Sequence, residues 1–219
     1  MINNINSKNK MKAIYFLLVM TFCIYLHNHA SSSIIEGKQY IKLHKPIHNA
    51  PKILEFFSFY CTHCYQFEQI YNISNNIQKK LPKNIIFYKY HVNYIGDLGK
   101  QLTHAWAVAM ALGIENQVSS FLFTAIQKQQ SIHTIDDIRK TFIKLGIDAD
   151  TYDTTWNSIL VQSLIKDQEQ AAINFQLKSI PAIFVDGKYM VKNDQLNIAS
   201  IPIYIQQFSE LLHLLIEKK

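Results

Sequence analysis

Phe56-Phe57-Ser58-Phe59-Tyr60-Cys61-Thr62-His63-Cys64-Tyr65-Gln66-Phe67-Glu68 is the stretch whose reading decides the fold. An aromatic run of strand character stops at Cys61, and a stretch with helical spacing follows Cys64. Strand, turn and helix in that order place Cys61 at a helix N-terminus and Cys64 one turn inside it. The first turn of a helix has N–H groups without intrahelical partners and the positive end of the macrodipole, and both stabilise a thiolate. Cys61 is therefore expected to be the reactive sulfur and Cys64 its covered partner. Other uses of the pair fit poorly. Zinc takes about four ligands, and without another cysteine beyond the N-terminal segment it would need His63 and a distant histidine, so no metal is expected. Haem attachment requires a histidine directly after the second cysteine, where this chain has Tyr65. A purely structural disulfide across two residues would restrict little of the unfolded chain. Dithiol–disulfide exchange is the best reading of the motif.

Upstream, Lys8, Lys10 and Lys12 precede an apolar stretch from Ala13 to Leu26, interrupted by Thr21. That is the charged and then hydrophobic pattern of a secretory signal peptide, and it falls short of the roughly 20 residues of a comfortable membrane span. Ala30 and Ser31 to Ser33 offer small residues for cleavage, so 1–31 is expected to be removed; an uncleaved anchor is the alternative. Cleavage would take Cys23 with it. The exported chain would then have the Cys61–Cys64 pair and no odd thiol with which to form a wrong disulfide. The three leader lysines also carry half of the formal charge of +6. No basic run interleaved with aromatics remains, so no nucleic acid is expected as a partner. A hydrophobic content of 48% supports a substantial core.

Downstream, the periodicity predicts strands at 36–43, 52–59 and 85–92, with one helix over 64–81 closed by Pro82. Phe67, Ile70, Tyr71 and Ile77 are its expected apolar positions. From Gly96 the pattern is helical, with segments at 98–112, 117–130, 151–160 and 161–177. Between them, Thr134 and Asp137 form a capping box for a helix stopped by Gly146. Ala182 to Val185 and Lys188 to Val191 read as strands joined by Asp186-Gly187, a strong hairpin signal. An amphipathic helix with Pro202 in its first turn closes the chain at about 201–217. This order gives an α/β protein, a thioredoxin-like fold with an inserted all-helical domain. The sheet domain is expected over 32–94 and 169–219, and the insertion over 95–168.

The sequence resembles the DsbA-type periplasmic thiol:disulfide oxidoreductases over nearly all of this region. The stretches that carry the likeness are EGKQY at Glu36, LEFFSFYCTHCYQFE at Leu54, KYHVNY at Lys89, DLGKQLTHAWAVAMALG at Asp97 and IPAIFVDGKY at Ile180. The resemblance implies that Cys61 is the sulfur attacked by substrate and Cys64 its resolving partner, with no cofactor beyond their disulfide. It places His63 beside the Cys61 thiolate, where an ordinary exposed loop histidine is the competing reading. It makes Ile180–Pro181 a cis-proline loop facing the disulfide, able to pair with an extended substrate. It buries Glu55 behind the cysteines, where with Lys89 it assists proton movement. Ile198, Ile201 and Tyr204 fall where the family has an apolar groove, although an ordinary helix-packing face would look the same. Thr62 departs from the proline common at its position, and this leaves the redox potential open. The implied partners are unfolded exported proteins with free thiols and a DsbB-type quinone-linked membrane reoxidase. The implied state is a periplasmic monomer. An isomerase or reductase on the same scaffold, and a non-catalytic holdase, are the competing functions; isomerases of this kind usually carry an N-terminal dimerisation domain, for which the chain has little room.

Overall fold

The structure, a computed structural model, describes residues 34–218. The expected signal segment, its possible anchor role and Cys23 lie outside them. Among the described residues no helix is long and apolar enough to cross a membrane.

Five strands form one sheet: β1 (Tyr40–Lys42), β2 (Ile53–Phe57), β3 (Phe87–His91), β4 (Ala182–Val185) and β5 (Tyr189–Val191), in the order β1-β5-β4-β2-β3. β2 runs parallel to β3 and antiparallel to β4, so it has a strand on each side and every one of its residues is buried. A strand covered on both faces reads as a continuous apolar run, which is what Ile-Leu-Glu-Phe-Phe provides with one exception. Alternation sends Leu54 and Phe56 to one face, against Phe175, Ala182 and Phe184. Phe57, with Phe59 beyond the strand end, faces the other way, into a cluster with Cys64, Trp106 and Phe123. Glu55 shares the Phe57 side by the same period of two. At the β4–β5 hairpin Asp186 and Gly187 both have positive φ, and a Cβ on Gly187 would come 2.1 Å from the Ile47 carbonyl oxygen.

Between β3 and β4 lie five helices: α3 (Gly99–Leu112), α4 (Glu115–Gln127), α5 (Ile135–Lys144), α6 (Ala149–Trp156) and α7 (Ile159–Asn174). α3 is the inner one. Its Leu102, Ala105, Trp106, Val108 and Ala109 are buried, and it packs against β3 and the other helices of the block. The capping box at Thr134 and Asp137 is formed as the sequence requires. α8 (Ile201–Glu217) packs on β4 and on the short helix α2 (Ile73–Gln78).

Four of the expected elements are revised. The single helix over 64–81 is instead α1 (Thr62–Tyr65), a π-helical turn over Gln66–Ile70 and then α2. The Tyr71 N–H reaches back five residues to the Gln66 carbonyl, and Asn72 follows in the left-handed region at φ 50°. The extra residue and the reversal rotate the two halves. Ile70 and Tyr71 are thereby exposed, while Ile73, Ser74 and Ile77 turn inward. The first strand is shorter than 36–43 because residues 35–40 close a turn through Gly37 at φ 84°. The helices expected at 151–160 and 161–177 start earlier, because Asp148 and Ser158 cap them by accepting from the N–H groups of Thr151 and Val161.

Candidate active site

β2 ends below the helix that the cysteines begin, and four residues make the crossing. The Cys61 N–H donates to the Ser58 carbonyl at 3.0 Å, and the Tyr60 N–H to Ser58 Oγ at 3.2 Å. Tyr60 lies so close against Gly96 that a Cβ there would meet its ring at 2.3 Å. Cys61 is the N-cap of α1, with extended backbone (φ −84°, ψ 113°), and its sulfur accepts the Cys64 N–H at 3.1 Å. A sulfur thus occupies the place that a serine or aspartate oxygen takes in an ordinary cap.

Both cysteines are free thiols, so the site is in its dithiol form. Their surroundings push them apart. The hydrogen bond from Cys64, the N–H groups of Cys64 and His63 and the His63 charge together outweigh partial burial, and lower Cys61 to about 7. Cys64 is fully buried, and burial together with the neighbouring Cys61 sulfur pushes its thiol far above the usual range. His63 is exposed on the first turn of α1. Opposite the pair, the Cys61 sulfur stands 3.8 Å from the Ile180 carbonyl oxygen, and the Ile180–Pro181 bond is cis. Asn193 holds this loop by donating to the Pro181 carbonyl at 3.0 Å.

Beneath the cysteines, Glu55 is completely buried. Burial raises it to about 8 against the opposing pull of Lys89 and Ser74. Lys89 Nζ is 3.8 Å from Glu55 Oε2 and in closer contact with Glu68. Burial disfavours the Lys89 charge, but the Glu68 and Glu55 carboxylates outweigh it and hold its pKa above normal. The Ser74 hydroxyl bridges Glu55 (3.1 Å) and Glu68. Glu55 Oε1 has no hydrogen-bond partner among the described residues. A carboxyl group that holds its proton near neutral pH below a buried thiol can supply or take up the proton which a buried sulfur must exchange.

Beside Cys61 opens a groove of about 710 Å³, lined by His63, Phe67, Ile180, Pro181, Met190, Ile198, Ile201 and Tyr204 among others. All three residues named for a groove from the sequence lie on its wall, Ile198 mostly exposed and Tyr204 nearly buried. Sequence reasoning missed Glu68, Ser74, Met190 and Asn193. It also missed Gln127, which donates to the Phe59 carbonyl at 2.7 Å, and His91, which accepts the Phe59 N–H at 3.1 Å. Glu68 and His91 lie within quoted stretches, LEFFSFYCTHCYQFE and KYHVNY, but neither sequence signalled its contact.

The family model of the DSBA-like thioredoxin domain matches residues 52–199. The thiol:disulfide interchange protein DsbA of Salmonella typhi is 48% identical over 190 residues, covering 87% of this chain and 92% of that protein. The protein of the same name from Escherichia coli K12 is 50% identical over 185 residues, covering 84% and 89%. Among solved structures, the disulfide oxidoreductase DsbA of Proteus mirabilis superposes with a TM-score of 0.82 at 46% identity, covering 86% of this chain and all of that one. A variant of that protein has also been solved with a non-covalently bound peptide, PWATCDS.

Proposed function

The chain belongs to the DsbA family of thiol:disulfide interchange proteins and is a thiol:disulfide oxidoreductase; from that premise we propose how its residues share out the reaction. In the oxidised protein a substrate thiolate attacks Cys61 Sγ, the Cys61–Cys64 bond breaks, and a mixed disulfide forms. Cys64 leaves and is protonated, with Glu55 as the nearby proton store and Lys89 and Glu68 setting its charge. A second substrate thiolate then attacks the substrate sulfur of the mixed disulfide. Cys61 departs as the thiolate, the substrate leaves with a new disulfide, and two electrons remain on the Cys61–Cys64 pair. Departure of Cys61 is favoured because a sulfur of low pKa is the better leaving group. His63 supports that thiolate by its charge and its backbone N–H.

The observation that carries this reading is the inequality of the two sulfurs, one half-exposed and lowered to about 7, the other buried and raised. Ile180 and Pro181 supply the backbone edge on which an extended chain can pair beside Cys61, which gives affinity without demanding a particular sequence. Ile198, Ile201 and Tyr204 take its apolar side chains. Substrates are exported proteins with free thiols. Reoxidation falls to a DsbB-type quinone-linked membrane protein, and no cofactor beyond the disulfide is required. The protein works as a periplasmic monomer after loss of residues 1–31, with the sheet domain over 32–94 and 169–219 and the helical domain over 95–168. Brief alkylation of the reduced protein at pH 6, followed by mass mapping, tests the assignment. The label is expected on Cys61, and a label mainly on Cys64 would overturn it. A holdase would keep its activity after both cysteines were alkylated; this protein is expected to lose it.

A further inference from the structure

The loop in front of Cys61 is gripped by side chains from outside the motif. The β2–β3 ladder ends with the Val92 N–H on the Phe57 carbonyl at 2.9 Å. The Phe59 N–H goes to an imidazole, His91 Nε2, at 3.1 Å. The Phe59 carbonyl is taken by Gln127 Nε2 at 2.7 Å, and Gln127 Oε1 lies 3.4 Å from the Thr62 hydroxyl. Phe59 is therefore fixed at both its polar groups, two residues before Cys61, and the same glutamine touches the residue after Cys61. A proline at position 62 would offer no hydroxyl for that second contact.

His91 is 1% exposed, stacked on the Phe59 ring and set edge-on to Phe57. Because Nε2 accepts, the hydrogen-bond pattern assigns the ring proton to Nδ1, 2.8 Å from Thr103 Oγ1. The His91 N–H donates to Gln168 Oε1 at 2.9 Å, and Gln168 Nε2 lies 3.5 Å from the Thr103 carbonyl. Burial lowers the imidazole to about 3, so it stays a neutral acceptor at working pH. Thr103 is on α3, Gln127 on α4 and Gln168 on α7, so one helix grips Phe59 directly and two others hold His91, the β3 residue that accepts the Phe59 N–H. An apolar side chain at 91 would fill the same aromatic pocket without the cost of desolvating an imidazole, but would leave the Phe59 N–H without this acceptor.

We propose that His91 and Gln127 are positioning residues for the exchange reaction: they clamp Phe59 so that the loop holds Cys61 Sγ against the Cys64 N–H. The proposal rests on Cys61 being the exchanging sulfur, which alkylation mapping of the unaltered protein tests separately. Two quantities decide the proposal in the full chain, the ultraviolet titration of the Cys61 thiolate and the equilibrium with glutathione. His91→Leu and Gln127→Ala should move the titration to higher pH. They should also shift the glutathione equilibrium by about three- to tenfold toward the oxidised protein, the span expected for one hydrogen bond. His91→Gln, whose amide can accept from Phe59 and donate to Thr103, should recover most of the loss. Variants that unfold at lower urea but leave titration and equilibrium unchanged would overturn the proposal. Should His91→Leu not fold, Gln127→Ala at its half-buried position decides alone.

Discussion

At the level of single residues, the chemistry depends on how far each ionisable group is moved and in which direction. The Cys61 thiolate is stabilised by the Cys64 hydrogen bond, by N–H groups of the first turn and by the His63 charge. His63→Ser removes the charge, so the Cys61 pKa should rise and the protein should become a weaker oxidant. One unit corresponds to about 1.4 kcal/mol, or about 30 mV for two electrons. A glutathione equilibrium constant unaltered within twofold would remove His63 from the mechanism. Glu55 is shifted the other way, from 4.5 to about 8. The folded state holds this proton longer than the unfolded chain does, so the protein loses stability as pH rises from 4.5 to 8. Glu55→Gln cannot ionise. It should flatten that slope and leave the protein more stable at pH 8, on the order of 2 kcal/mol in urea titrations, while slowing the step in which Cys64 exchanges its proton. The cysteines and His63 were legible because their spacing is local. Glu68 and Gln127 were not: each looks like a polar residue on an amphipathic helix, and only the tertiary fold brings Gln127 to the Phe59 carbonyl.

At the level of elements, the break after α1 matters most. Residues 64–81 contain apolar positions compatible with one helix, and neither glycine nor proline interrupts it before Pro82. The break is made by a π-helical turn and by Asn72, and asparagine is one of the few residues that enters the left-handed region readily. That signal was present but weak. Its consequence is that Ser74 turns inward and reaches Glu55 and Glu68. Asn72→Gly should be tolerated. Asn72→Val places a β-branched side chain at positive φ and should cost about 1–2 kcal/mol. It should also loosen Ser74 and raise Glu55 further, since the serine bond lowers that pKa. Urea midpoints together with a carboxyl-region NMR titration check both effects; a stable valine variant with an unmoved Glu55 would mean that the turn does not position the acid. The hairpin at Asp186-Gly187 and the helix at Pro202 were read correctly because turn and capping chemistry is specific, whereas β1 was overextended because Gly37 was not read as closing a turn.

At the level of the whole molecule, the succession of strands, helical excursion, hairpin and closing helix along the chain was legible from the periodicities, whereas the order β1-β5-β4-β2-β3 in which the strands lie side by side came from the structure. What the sequence could not supply was the balance between redox state and folding, which the two sulfurs now determine. In the dithiol form Cys61 is lowered from 9.0 to about 7. Stability from this depressed acid is fully present above the unfolded value near 9 and is lost as pH falls through about 7. In the disulfide form neither sulfur titrates, so this contribution is absent. The Glu55 slope is common to both forms and cancels to first order in their difference. The stability of the dithiol protein relative to the disulfide protein should therefore rise between pH 6 and 9. After discounting for the partial exposure of Cys61, the rise should be of order 1–2 kcal/mol. Because folding and redox equilibria form one cycle, the same rise should make the folded pair more oxidising relative to its unfolded counterpart as pH increases. Urea unfolding of both forms at several pH values measures the gap directly. The Cys61→Ser variant supplies the control, since its unfolding should show no such rise between pH 6 and 9. A gap independent of pH would mean that the Cys61 thiolate does not contribute to the relative stability of the dithiol form.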